Sequence, residues 1–197
     1  MLIANFFGIF VFLFFLWKRL KEDYHYEKIF NLATASLAGL FIGLLISKYF
    51  LPVYWFWIGI TCLFIGFGIA RYRLKVRFFE SLEAIIIGLI PWLSLIYLLD
   101  AINNSSLASF LAFWIGSICI FVFFFLDSQY RSFSWYKSGR VGFAGVLTAA
   151  IFFTLRLIVS IFFKDVISLV NGIEVYLSAT VAFCFFLLLY NLSRTKE

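Results

Sequence analysis

Ala149-Ala150-Ile151-Phe152-Phe153-Thr154-Leu155-Arg156-Leu157-Ile158-Val159-Ser160-Ile161-Phe162-Phe163 is the stretch whose reading decides the fold. With the apolar residues that precede it from position 141, it is long enough to cross a bilayer, whose hydrocarbon core needs about 20 residues of helix. One guanidinium stands inside it. A charge at that depth costs about 2.5–3.5 kcal/mol on insertion scales and more than about 10 kcal/mol in simulations. Such a group faces a partner, a polar cavity or a lipid headgroup. At 3.6 residues per turn, Gly145, Thr148, Ala149, Phe152, Arg156 and Ser160 share one broad face. That face is mostly small and polar, and neighbouring helices approach such faces closely. Arg156 is therefore expected to point into a helix bundle.

Composition agrees along the whole chain. Of 197 residues, 64 % are hydrophobic and 13 % charged, with a mean hydropathy of +1.05. A soluble domain has about 45–50 % apolar and about 25 % charged residues, so this is an integral membrane protein. The net charge of +6 does not make it a nucleic-acid binder, because the basic residues sit in short clusters between apolar runs. Cys62, Cys119 and Cys184 fall in three different runs with no CxxC pair and read as small apolar residues. His25, the one histidine, lies in a charged loop without a second ligand nearby. No metal site and no cofactor is expected.

The apolar runs give an all-α polytopic membrane protein, a single transmembrane domain over 1–197. Seven transmembrane helices are expected, over 2–17, 29–46, 53–70, 78–99, 107–126, 141–163 and 173–190. The first, slightly short for a span, has no basic residue before it and Lys18, Arg19 and Lys21 after it. A cleaved signal peptide shows the opposite order, so this is a retained helix. The second carries Gly39-x-x-x-Gly43, a spacing for close helix contact. Tyr54, Trp55 and Trp57 at the start of the third suit an aromatic belt. The fourth begins with Glu80 and Glu83, which suit the helix macrodipole, and contains Pro91, where a kink is expected. Residues 100–106 read as a polar loop of turn residues, and 127–140 as a segment lying in the headgroup layer.

Charge between the helices sets the orientation. Lys18, Arg19, Lys21, Lys28, Arg71, Arg73, Lys75, Arg77, Arg131, Lys137, Arg140, Arg194 and Lys196 fall on one side, and Lys48 and Lys164 on the other. By the positive-inside rule the N-terminus is expected outside and the C-terminus in the cytoplasm. Arg156 then lies about 10 Å from the outer end of its helix at 1.5 Å per residue. Glu80, Glu83 and Asp127 belong to the cytoplasmic side, Asp100 and Glu174 to the outer side. Glu174, opening the adjacent helix, is the better-placed partner, with outer-leaflet phosphate as the rival. Arg156 is the candidate lipid- or phosphate-binding residue, as a structural or lipid anchor or as a substrate contact. Glu174, Ser160 and Glu83 are the candidate partners; no catalytic residue is assigned.

The run from Phe152 to Phe163 resembles the late helix of prolipoprotein diacylglyceryl transferases, of form Y-G-x-x-R-F-x-x-E-F-x-R, with Arg156 on the essential arginine. Phe78-Phe79-Glu80-Ser81-Leu82-Glu83-Ala84, following the basic loop from Arg73, is similar to that family's segment in which a helix carries an Asp, with Glu83 in its place. Seven helices and an outside N-terminus fit as well. The resemblance implies a multi-pass protein of the cell inner (plasma) membrane. Its family moves diacylglyceryl from phosphatidylglycerol to a lipoprotein cysteine. This chain departs from it at Phe152, Ser160 and Phe163, where the motif has tyrosine, glutamate and a second arginine. Cys62-Leu63-Phe64 stands near the family's His-Gly-Gly, and the G-R-x-G-N-F and H-P-x-Q-x-Y-E segments are replaced around 91–97 and 103–113. Transfer to a thiol needs a proton acceptor and cations for the leaving phosphate. The resemblance thus implies a shortened, catalytically silent relative that binds a phosphatidylglycerol-like phospholipid. A lipoprotein precursor or another membrane protein is a further partner, and nucleic acid is not one. An active divergent transferase and a small transporter are the alternatives. The Gly/Asn-rich and His-containing motifs of seven-helix glycerol-3-phosphate acyltransferases are missing.

Overall fold

A computed structural model describes residues 2–129, 142–163, 166–170 and 172–194. The expected headgroup segment with Tyr130, Arg131, Phe133, Trp135, Tyr136, Lys137 and Arg140 lies outside the described residues beyond Gln129, as do Lys164 and Lys196. Among the described residues seven α-helices follow one another: α1 (Leu2–Leu20), α2 (Tyr26–Phe50), α3 (Trp55–Leu74) after a 3-10 turn at Pro52–Tyr54, α4 (Phe78–Asn104), α5 (Leu107–Gln129), α6 (Phe143–Phe162) and α7 (Glu174–Arg194). α2 to α7 are each long and apolar enough to cross a membrane. The chain is a multi-pass helical membrane protein. α1 is a further 19-residue helix packed along α4.

Most helices run past the ends of their apolar runs. α2 reaches Phe50, past the expected end at 46, and α4 continues to Asn104, into the residues read as a polar loop. The reason is local. Asn104 Nδ2 donates to Asp100 Oδ1 over 2.8 Å, one helical turn apart, and Ser109 Oγ donates to the other oxygen of Asp100. With its polar groups answered, the backbone stays helical until Ser105 takes a left-handed conformation (φ 50°). α4 passes through Pro91 without interruption as a helix.

Successive helices reverse direction, which sorts their ends into two groups. At one end Arg19 of α1 meets Glu83 of α4 and Asp127 of α5, Tyr24 meets Glu80, and Arg71 of α3 lies over Phe78. This is the basic end. At the opposite end Trp55 and Trp57 of α3 meet Ile167 and Glu174, and Trp92 of α4 meets Asn5 of α1. This is the tryptophan end.

α4 is the central helix, buried along most of its length and flanked by α1, α5 and α6. α2 and α3 form a tight hairpin. A Cβ on Gly39 would lie 2.3 Å from the Cys62 carbonyl oxygen, and one on Gly66 would lie 2.4 Å from that of Ala35, so only glycine permits this approach. In lipid, where apolar burial drives nothing, such backbone contact is what holds two helices together. α3 and α4 scarcely touch, although a three-residue link joins them. Space is left on both sides of α3.

Candidate functional site

Arg156 sits in the last third of α6 and is 4 % exposed. Its Nε donates to Glu174 Oε1 over 2.6 Å, Nη1 donates to Tyr97 Oη (3.0 Å) and Ser168 Oγ (2.8 Å), and Nη2 donates to the Ser168 carbonyl (2.6 Å). Four of the five N–H groups of an arginine are thereby used. The guanidinium carbon also lies 3.7 Å from the centroid of the Phe56 ring and 5.6 Å from that of Trp57, within cation–π range.

Glu174 is answered as completely. Oε1 accepts from Arg156 and from Ser178 Oγ (2.8 Å), and Oε2 accepts from Trp57 Nε1 (2.9 Å) and the Val170 backbone N–H (3.1 Å). Two donors on each oxygen saturate a carboxylate. Ser178 follows Glu174 by one helical turn, so α7 supplies both the acid and a donor to it. A buried ion pair offsets its desolvation only when the remaining lone pairs and protons are satisfied, and this one meets that condition. Beside Arg156 the remaining void is about 20 Å³, lined by Tyr97, Ala112, Phe152, Val159 and Val166 among others. That is about the room of one water molecule. A phosphate does not fit.

Ser160 is not brought to this network. Its hydroxyl donates to the Leu157 carbonyl within α6, and it is half-buried. Glu83 is fully buried but lies at the basic end, where α6 approaches it so closely that a Cβ on Gly145 would be 2.5 Å from its Cγ. Arg156 is eleven residues beyond Gly145 on α6, about 16 Å along the bundle. Arg19 faces Glu83 as an ion pair and is shared with Asp127 at 3.3 Å, yet neither Glu83 oxygen has a well-aligned hydrogen bond. Thr148 Oγ1 is likewise buried without a partner. Glu80 does not cap α4. It accepts from Tyr24 (2.6 Å) and from Arg77 (2.9 Å). Burial and the Glu80 carboxylate push the Tyr24 phenol above its usual range.

Trp55 and Trp57, expected to face the membrane surface as a belt, turn inward. Trp55 Nε1 donates to the Ile167 carbonyl over 3.1 Å. Trp57 stacks on Phe153, and Phe153 on Phe185, at 5.9 Å in each case. These rings line an apolar cleft of about 650 Å³ between α3 and α7, floored by α4 and α6, with Trp57 at its tryptophan end. Phe64, Phe78, Leu82, Phe152, Val181 and Leu188 also line it. Phe78 to Leu93 along its α4 floor is fifteen residues, about 22 Å of helix. Tyr97, Ser168, Ser178, the site role of Trp57 and the cleft were not foreseen in the sequence; only Ser178, one helical turn after Glu174, has a spacing that could have marked it. Comparison of the chain with protein-family models, curated proteins and solved structures finds no match.

Proposed function

We propose that the protein binds lipid, taking acyl chains sideways from the bilayer into the cleft between α3 and α7, and that it catalyses no transfer. The observation that carries this is the cleft itself: apolar, about 650 Å³, and walled by four helices able to cross a membrane. Hydrocarbon is the solvent at that depth, and a lateral opening of this size between helices fills with chains. Arg156 and Glu174 serve the cleft from outside. Their network fixes Trp57, whose ring lines it at the tryptophan end.

The likeness to prolipoprotein diacylglyceryl transferases enters as support for a lipid-handling role in the cell membrane, with phosphatidylglycerol-like lipid as the occupant. The absence of activity rests on placement. Glu83 and Arg156, on the two family-like positions, are too far apart to act on one phosphoryl group, and the donors of Arg156 are already committed. Thr61 and Thr180 face the cleft from opposite walls. Thr61→Trp and Thr180→Trp should each lower co-purified phospholipid severalfold by native mass spectrometry while thermal stability holds. Unchanged lipid in both variants removes the cleft as the site. Failure to complement a depleted diacylglyceryl transferase is expected of the wild-type chain; growth would show it to be active.

We propose further that α1 to α7 all span the membrane with the basic end in the cytoplasm, since Lys18, Arg19, Lys21, Lys28, Arg71, Arg73, Lys75 and Arg77 gather there against Lys48 at the other end. A cysteine at Asn104 should be labelled from outside in intact cells, and one at Leu74 only after permeabilisation. The reverse pattern inverts the orientation.

A further inference from the structure

We infer that the cleft selects an anionic phospholipid from the leaflet at the basic end, with Arg71 as the residue that reads the headgroup; this rests on the cleft being a lipid site. Most of the other cations that the structure places in contacts there are occupied. Arg19 is shared between Glu83 and Asp127, and Arg77 is held by Glu80. Lys21 lies over the Trp17 ring at 5.0 Å, and Lys18 near Phe14 and Phe124. Arg71 is different. It is exposed, has no acidic partner among the described residues, and its guanidinium carbon stands 5.0 Å from the centroid of Phe78. Phe78 is itself a wall of the cleft. An unspent guanidinium therefore stands at the mouth of an apolar groove.

The other end offers nothing comparable. Trp57 lines it with its indole held by Glu174, Arg156 is spent, and Trp55 is tied to Ile167. Trp57 and Arg71 are fourteen residues apart on α3, about 21 Å, which exceeds half of the roughly 30 Å hydrocarbon core. A lipid with its phosphate at Arg71 thus lays a chain along the groove past the midplane. Guanidinium suits that phosphate because it donates two parallel hydrogen bonds and because its flat face can rest on Phe78 while its edge does so.

Competition between phosphatidylglycerol and phosphatidylcholine of identical chains, read by native mass spectrometry on the full-length protein, tests this. Wild type should retain the anionic lipid about fivefold over the zwitterionic one, the ratio expected of one basic residue near a membrane surface. Arg71→Ala should abolish the preference while total lipid remains, Arg71→Lys should keep part of it, and Arg73→Ala should keep all of it. Preference surviving Arg71→Ala, or lost equally in Arg73→Ala, overturns the headgroup assignment and leaves the cleft standing. Thr180→Trp should remove both lipids. If it removes neither, the cleft reading itself fails, and the two failures are told apart by which variant is silent.

Discussion

Glu174 and Glu83 are both carboxylates buried among membrane helices, and they are kept in opposite ways. Glu174 accepts four hydrogen bonds, one from a guanidinium that is itself nearly saturated. Glu83 faces one shared guanidinium and lacks any well-aligned donor. Depth explains the contrast. Glu174 lies where α3, α6, α7 and the 166–170 segment enclose it, and an unanswered charge there has no retreat. Glu83 begins the second turn of α4, at the basic end, where Arg19 and Asp127 remain partly exposed and can share its field. Burial of an acid is thus no measure of its structural importance; the number of donors aimed at it is.

The largest effect is expected from splitting the complete pair. Glu174→Ala should destabilise the protein by about 3–5 kcal/mol, the usual loss when one partner of a buried pair is stranded. Arg156→Ala, which strands the carboxylate, should come close to it. The double variant should regain part of the loss in thermal unfolding in detergent. Additive losses would mean that the pair is not coupled. At Glu83 the effect should be far smaller. Glu83→Gln keeps the shape, leaves Arg19 with Asp127, and removes a poorly satisfied carboxylate, so its stability should stay within about 1 kcal/mol of wild type or rise. A loss equal to that of Glu174→Ala would break the comparison and mark the basic end as equally essential.

Much of this architecture was legible beforehand, and the reasons are physical. Seven apolar runs became seven helices because hydrocarbon forces backbone groups to pair within each segment. Arg156 stood out because a lone charge in such a run demands an answer, and depth along the helices singled out Glu174. The helix ends were read too short because side-chain pairs such as Asp100 and Asn104 satisfy one another within a helix, and a hydropathy reading sees only their polarity. The rest of the network was invisible for another reason. Tyr97 and Ser168 are single polar residues with no spacing to mark them, and Trp57 looked like one of several interfacial aromatics. Their convergence on Arg156 and Glu174 depends on how five separate segments pack. The cleft was hidden in the same way, since a residue facing an internal groove is as apolar as one facing lipid.

Synthesis runs in one direction, and the Arg156–Glu174 pair spans eighteen residues of it. A nascent chain that has delivered α6 but not α7 has no Glu174 carboxylate for the guanidinium that Phe56 and Tyr97 meet in the folded protein. The arrival of α7 brings Glu174 and Ser178 together and, through Trp57, fastens a helix made more than a hundred residues earlier. α7 is therefore the clasp of α3. A chain broken off before Glu174 leaves the Arg156 guanidinium without its carboxylate.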